Sequence, residues 1–140
     1  MRLNYDCVRD VLLALEKLLQ VEYDPDSECF NTNSVNINEI YDAIPVNNYS
    51  LEDVYYTIKN LDEAGYINAE PLYGDGTVID YDVFDITFYG NEYINTIRPD
   101  EFWKKLRKAL LKVGAFSLPI IANISTSLAT SMISSQLNLP

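Results

Sequence analysis

The sequence predicts an α+β protein, a winged helix-turn-helix domain with a helical C-terminal extension. Apolar residues recur at three- and four-residue spacing in several separate segments, which is typical of amphipathic helices. Two segments rich in Val, Ile, Tyr and Phe flank Gly74-Asp75-Gly76, which predicts a β-hairpin. The resulting order of a helix, a helix-turn-helix, a hairpin and a further helix is that of a winged helix.

The N-terminal part of the chain predicts two helices separated by a loop. The first covers residues 4–19, with Asn4 as its capping residue. Residues 22–34 are polar and rich in turn formers, which predicts a loop with a short strand near Phe30. A short helix over residues 37–44 ends at Pro45, because proline cannot continue a helix.

The next predicted helix has the clearest boundaries. Ser50 with Asp53 resembles a capping box, and Gly65 supplies the left-handed turn at the end. The predicted buried stripe consists of Leu51, Val54, Tyr55, Ile58 and Leu61. The predicted outward face consists of Glu52, Asp53, Tyr56, Thr57, Asn60 and Glu63. Strands over residues 66–73 and 77–87 follow, and Thr87 caps a helix that runs through Ile97.

Charge divides the chain into two parts, residues 1–97 and residues 98–140. The first part contains 4 basic and 19 acidic side chains, a formal charge of −15. The second contains 6 basic and 2 acidic side chains, a formal charge of +4. We therefore expect an acidic winged-helix domain followed by a basic helix, which begins at Pro99, and an uncharged apolar and Ser/Thr-rich helix. The acidic domain repels phosphate backbones.

The composition argues against catalysis. The chain has no histidine and two cysteines, which excludes Ser-His-Asp and Cys-His catalysis and imidazole-based zinc sites. The carboxylates at 24, 26 and 28 and those at 80, 82 and 85 are interpreted as solvated acids. We expect no enzyme activity, metal or cofactor. The N-terminus lacks the pattern of a secretory signal, which predicts location in the cytoplasm of the host cell.

Four motifs resemble those of a known family. Ile58-Lys-Asn-Leu-Asp-Glu-Ala-Gly-Tyr-Ile67 and Ile86-Thr-Phe-Tyr-Gly-Asn-Glu-Tyr-Ile94 are similar to winged-helix signatures. Together with Leu3-Asn-Tyr-Asp-Cys-Val-Arg-Asp-Val11 and the segment from Arg98 to Lys105, they resemble a YjcQ-like prophage family of uncharacterised function. Asn91 departs from that pattern, which commonly has histidine there. The resemblance covers residues 3–105 and implies a winged-helix fold and a mobile-element setting, without implying any chemistry.

Residues 51–64 would form the DNA-reading helix of a winged helix, yet their charge opposes that role. They contain four carboxylates, one lysine and no arginine, whereas DNA affinity depends on neutralised phosphates. The sequence therefore predicts a protein partner, bound through acidic, Tyr-bearing surfaces, with action as an inhibitor or nucleic-acid mimic as one form of this role. The predicted contacts are Glu52, Asp53, Tyr56, Asn60 and Glu63. The alternative is a DNA-binding regulator whose basic face, Lys104, Lys105, Lys108 and Lys112, contacts phosphates.

The C-terminal segment leaves three interpretations open. Residues 113–140 carry no charge, and a broad apolar stripe includes Ile121, Ile124, Leu128 and Met132. The predicted helix folds back on its own domain, pairs with copies of itself to give a homo-oligomer, or tethers the protein to a membrane. An uncovered stripe of this kind is an aggregation hazard in water, so it must be covered. We favour self-association, because Ser127, Ser131 and Ser135 at four-residue steps allow helix backbones to approach closely.

Overall fold

The computed structural model describes residues 1–45, 48–113 and 118–136, which form a mixed α+β structure. The described helices are α1 (Tyr5–Leu18), α2 (Ile37–Ala43), α3 (Leu51–Glu63), α4 (Phe88–Ile97), α5 (Asp100–Val113) and α6 (Leu118–Gln136). The strands are β1 (Val21–Asp24), β2 (Cys29–Thr32), β3 (Val35–Asn36), β4 (Ile67–Gly74) and β5 (Thr77–Ile86). The helices predicted from apolar spacing are therefore confirmed, with their ends shifted by a residue or two.

Helix α1 supplies a large share of the core of the N-terminal part. Asn4 caps it as predicted, because its side-chain oxygen accepts hydrogen bonds from the backbone N–H groups of Asp6 and Cys7 at 3.0 and 3.2 Å. Apolar residues at three- and four-residue steps then face inward. The fully buried side chains of α1, α2 and α3 are Cys7, Val8, Val11, Leu12, Leu15, Ile40, Val54, Ile58 and Leu61.

Residues 21–32 form a two-stranded antiparallel hairpin, where the sequence predicted a loop with one short strand. The strand near Phe30 is confirmed as β2, and β1 pairs with it in a register that places Tyr23 opposite Phe30. Both strands are largely exposed, and neither has a face buried in the core. The hairpin is instead closed by a local turn, in which Asp24 accepts hydrogen bonds from Ser27 Oγ and the Asp26 N–H.

A second, three-stranded antiparallel sheet has the order β3-β5-β4. The turn between β4 and β5 has Asp75 at φ 51° and Gly76 at φ 81°, as a tight hairpin turn requires. Two register shifts interrupt the pairing of β4 with β5, leaving Ile79 and Phe84 as the extra residues on β5. The second shift explains why Val83 and Ile86, three residues apart, both face the core.

Helix α3 begins with the predicted capping box. Ser50 and Asp53 exchange side-chain hydrogen bonds with each other's backbone N–H groups at 3.0 and 3.1 Å. Gly65 adopts φ 79° after the helix end, also as predicted. The predicted stripe is correct for Val54, Ile58 and Leu61, whereas Leu51 in the first turn is exposed.

The chain is divided into two compact units, Met1–Asn91 and Glu92–Pro140. The first contains α1 through β5 and the start of α4, where the Thr87 hydroxyl accepts a hydrogen bond from the Gly90 N–H at 3.2 Å. The second contains the rest of α4, α5 and α6, and α5 contacts α6. Its fully buried side chains are Ile94, Ile97, Leu106, Leu110 and Ile121.

Candidate protein-binding surface

The five predicted contact residues of α3 lie on one face of the helix, but four of them are engaged within the chain. Glu52 and Glu63 are exposed, and Glu63 forms an i,i+4 ion pair with Lys59 at 3.8 Å. Asp53 belongs to the capping box. The Asn60 side-chain amide donates a hydrogen bond to the Tyr56 carbonyl oxygen at 2.7 Å. The face therefore presents carboxylates, and its other polar side chains form their hydrogen bonds within the chain.

The N-terminal residues lie against this face. The Tyr56 hydroxyl donates to the Met1 carbonyl oxygen at 3.3 Å, and the Cys7 thiol approaches the Asp53 carbonyl oxygen at 4.0 Å. Cys7 is fully buried. Burial raises the pKa of the Cys7 thiol to about 11, and the nearby carboxylate of Asp53 adds to the increase. The thiol is therefore a core group and not a reactive one.

The outward orientation predicted for Thr57 is wrong. Thr57 is only 1% exposed, and its hydroxyl donates to the Asp53 carbonyl oxygen at 2.7 Å. A threonine hydroxyl that donates to the carbonyl oxygen four residues earlier has its hydrogen bond within its own helix. It needs no other partner, so the side chain packs as an apolar group does. Thr57 therefore cannot contact a DNA base or a partner.

A shallow cleft lies beside α3, between the first turns of α2 and α3 and strand β5. We call it the α3–β5 cleft. Its volume is about 210 Å³, below the roughly 300–1,000 Å³ of pockets that enclose drug-sized ligands. The lining residues are Ile37, Asn38, Leu51, Glu52, Tyr55, Val78, Ile79 and Asp80. The cleft has the size for side chains of a partner and not for an organic cofactor.

Strand β5 shapes this cleft through the bulge at Ile79. The extra residue turns the strand, and Ile79 is 69% exposed, with its side chain lying over Gly74 at 3.1 Å from where a Cβ would stand. Leu72 and Tyr73, which pair with Asp80 and Val78 on the neighbouring strand, are also exposed. Exposed apolar residues are thus present on β4 as well as at the cleft.

Asp80 fixes one wall of the α3–β5 cleft. Its Oδ1 accepts hydrogen bonds from the backbone N–H groups of Ile37 at 3.2 Å and Tyr81 at 2.8 Å, which ties β5 to the start of α2. Glu52, in the first turn of α3, provides a second carboxylate at the cleft. Residues of β5 alternate between the two faces of the sheet here, because Tyr81 and Val83 are buried while Asp80 and Asp82 are not.

The other acidic cluster, Asp24, Asp26 and Glu28, lies at the turn between β1 and β2. Hydrogen bonds lower the pKa of the Asp24 carboxyl. The larger effect comes from the Ser27 hydroxyl and the smaller one from the Asp26 N–H. Among the described residues, no group of three or more His, Cys, Asp and Glu side chains is arranged to hold a metal ion.

A second exposed apolar surface lies on the β1–β2 hairpin. The rings of Tyr23 and Phe30 contact each other with centroids 5.0 Å apart, and Val21 lies on the same side of β1. All three side chains are exposed. Sequence reasoning missed this surface because it treated the segment as a loop, although the three apolar residues within a polar stretch were visible there.

The predicted basic face lies on α5. Lys104, Lys105, Lys108 and Lys112 are all exposed, and Lys104 lies 4.0 Å from Glu101 in the same helix. Leu111 is exposed as well, outside the buried stripe formed by Phe102, Trp103, Leu106 and Leu110. Because residues three and seven positions apart share a helical face, Leu111 lies beside Lys108 and Lys104. The sequence reasoning had not singled out Leu111.

The predicted self-association residues on α6 differ in their burial. Ile121 is fully buried, and Leu128 and Met132 are half-buried. The Ile124 side chain lies outside the described residues. Ser127, Ser131 and Ser135 are exposed at four-residue steps. Within the described ranges, the helices all fall short of the length and apolarity that crossing a membrane requires.

The comparisons with known proteins identify a family. No curated protein and no solved structure matches the chain. Residues 2–117, from before α1 to beyond the end of α5, match the family described as "Hypothetical protein (DUF2513)". The match covers most of the 140 residues, and the chain therefore belongs to the DUF2513 family.

Proposed function

We propose that this protein is a non-enzymatic interaction protein that binds a protein partner through the acidic surface of α3 and the adjoining α3–β5 cleft. The partner presents basic and apolar side chains. The scaffold is a winged helix, with β4 and β5 as the wing, and α6 contributes to self-association. The mobile-element and host-cytoplasm setting is proposed from the sequence resemblance, and action as an inhibitor or nucleic-acid mimic is one form of the proposal.

The observation that carries this proposal is the state of the polar side chains on α3. A helix that reads DNA needs free hydrogen-bond donors and cations. Here Thr57 is buried, the Asn60 amide is bonded to its own helix, and the Tyr56 hydroxyl is bonded to Met1. The remaining groups on this face are the exposed carboxylates of Glu52 and Glu63, the second of which is paired with Lys59. These carboxylates repel phosphates and attract cationic side chains.

The arrangement of elements supports the winged-helix scaffold. The helices α1, α2 and α3 precede a hairpin, β4–β5, and the short strand β3 pairs with β5 on the side away from β4. Helix α3 contacts both α1 and α2, as the second helix of a helix-turn-helix does. In this scaffold the α3–β5 cleft lies between the reading helix and the wing.

A capture experiment tests the protein-binding function. Full-length chain is immobilised and exposed to a host-cell lysate, with and without nuclease treatment, and retained proteins are identified. We expect a retained protein that withstands nuclease and is lost with the Glu52→Lys/Glu63→Lys variant. The matched control is Asp26→Lys/Glu28→Lys, which changes the net charge equally on the exposed β1–β2 turn and leaves retention unchanged.

Retention that disappears on nuclease treatment contradicts the proposal, because the captured proteins would then be bound through nucleic acid. Equal loss with both charge variants also contradicts it, since the interaction would then depend on net charge and not on α3. Absence of any retained protein counts against the function in the same way.

The exposed lysines of α5 favour one second candidate, a DNA-binding regulator that contacts phosphates through Lys104, Lys105 and Lys108. Such contacts carry no sequence information by themselves. This candidate predicts duplex binding that weakens steeply with salt and is lost with Lys104→Glu/Lys108→Glu.

A further inference from the structure

The α3–β5 cleft and the exposed face of α5 have complementary chemistry. The cleft combines apolar walls from Ile37, Leu51 and Ile79 with the carboxylates of Glu52 and Asp80. The face of α5 combines one exposed apolar side chain, Leu111, with lysines on either side. We propose that α5 of one copy docks into the α3–β5 cleft of a second copy of this chain. The inference goes beyond the proposed function, because it names this chain as an occupant of the cleft.

The apolar part of the proposed contact rests on two uncovered side chains. Ile79 is 69% exposed at the bulge of β5, and Leu111 is 66% exposed in the middle of a basic face. Single exposed apolar residues are common on protein surfaces, but Ile79 lies at a cleft and Leu111 lies beside lysines. Ile79 borders a cleft of about 210 Å³, and Leu111 is a single aliphatic side chain that a cleft of this size accommodates.

The charged part of the contact fixes the orientation. Lys104 and Lys108 lie seven and three residues before Leu111, so that Leu111 in the cleft brings both ammonium groups to the acidic side of the second copy. Glu52 and Asp80 lie at the cleft itself. Residues 1–97 carry a formal −15 and residues 98–140 a formal +4, which favours the approach of α5 to the acidic part of another copy.

The geometry of this contact is heterologous, because the cleft and α5 are different surfaces of the same chain. Each docked copy leaves its own cleft or its own α5 free for a further copy, and the product is a ring or an open chain of molecules. The contact is small and partly ionic, so we expect weak self-association that decreases as salt screens the charges.

Sedimentation velocity of full-length chain over a wide concentration range tests the proposal. For the wild type we expect an average mass that rises with concentration at low salt and falls at high salt. Ile79→Lys damages the cleft and Leu111→Glu damages the α5 face, and each lowers the association constant at least about tenfold. Both substituted residues are exposed, and circular dichroism verifies that the variants fold.

Matched controls separate the proposed contact from a general effect of charge. Val21→Lys alters an apolar strand residue that is 68% exposed, nearly the same as Ile79, and Asn123→Glu introduces a carboxylate at an exposed position of α6. We expect both controls to associate like the wild type.

Mixing the two damaged variants is the decisive step. The Leu111→Glu chain retains an intact cleft, and the Ile79→Lys chain retains an intact α5 face, so the mixture forms dimers although neither variant associates by this route alone. A mixture that stays monomeric while the wild type associates overturns the proposal. So does a wild type that is monomeric throughout, or association unaffected by Ile79→Lys and Leu111→Glu. A monomeric chain that still captures a protein partner leaves the proposed function standing.

Discussion

Gly90 lies where the start of α4 meets the chain after α3. A Cβ on this residue would stand 2.7 Å from Ile86 Cγ2 and closer still to the backbone oxygen of Tyr66. Backbone cannot move aside as the end of a flexible side chain does, so an added methyl group displaces α4 from the strand end. The same carbonyl accepts the Thr87 N–H at 3.0 Å, which holds these segments together.

Gly90→Ala is therefore expected to destabilise the fold by about 2–3 kcal/mol, the usual range for overpacking a closely packed site. Urea denaturation followed by circular dichroism measures the change. Gly76→Ala is the control, because Gly76 faces open space and its positive φ alone costs about 1 kcal/mol. A Gly90→Ala variant no less stable than Gly76→Ala would contradict the close approach.

The two cysteines differ in their expected reactivity. With a pKa of about 11, about one Cys7 thiol in a thousand is ionised at a pH of about 8, and the side chain is fully buried. Cys29 is partly exposed on β2. Titration with a chromogenic disulfide should show one fast thiol per folded chain and a second after denaturation. Cys29→Ser should remove the fast phase, and a fast phase that survives it would place Cys7 at the surface.

Tyr49 links the start of α3 to α1. Its hydroxyl donates to Asp10 Oδ2 at 2.7 Å, and burial, followed by this carboxylate, raises the pKa of Tyr49 far above its usual range. A tyrosine with a raised pKa stabilises the fold fully below its unfolded pKa of about 10, and this contribution is lost as the pH rises toward the folded pKa.

Tyr49→Phe should therefore lower the free energy of unfolding by about 1 kcal/mol at neutral pH. It should also reduce the loss of stability between about pH 9 and about pH 11. Urea denaturation at several pH values measures both effects, and Tyr73→Phe, on an exposed tyrosine, serves as the control. An unchanged alkaline loss in Tyr49→Phe would assign that loss to other groups.

Among the elements, those with a local signal were predictable. Asn4, Ser50 and Thr87 marked helix starts, and apolar spacing marked the inward faces, because capping and amphipathicity are properties of neighbouring residues. The β1–β2 hairpin lacked such a signal, since neither of its faces is buried. The bulge at Ile79 forms one wall of the cleft. It arises from pairing with β4, so the pattern of neighbouring residues in β5 does not predict it. The polar residue Thr57 is buried because its hydroxyl bonds its own helix.

Helix α6 has one half-buried apolar side, on which Leu128 and Met132 lie. If α6 contributes to self-association, Leu128→Glu should shift full-length chain toward the monomer in light scattering, because a carboxylate in an apolar contact is costly to desolvate. Asn123→Glu introduces the same charge on an exposed position of α6 and should have no effect. Equal masses for the wild type and Leu128→Glu at every concentration would show that this side of α6 does not contribute to self-association.

At the scale of the whole molecule, the separation of charge decides which partners the protein can approach. In the proposed winged-helix scaffold, α3 corresponds to the helix that a DNA-binding protein directs at a duplex, and it presents carboxylates where such a protein needs cations. The apolar residues of the α3–β5 cleft and of the β1–β2 hairpin add surfaces that suit protein contacts.

Fluorescence anisotropy of a labelled random-sequence duplex, titrated with full-length chain at low salt, tests the central claim most directly. We expect no saturable binding that depends on α3. Saturable binding that weakens steeply with added salt, persists in Lys104→Glu/Lys108→Glu and disappears in Asn60→Ala would show that α3 reads DNA and would contradict it.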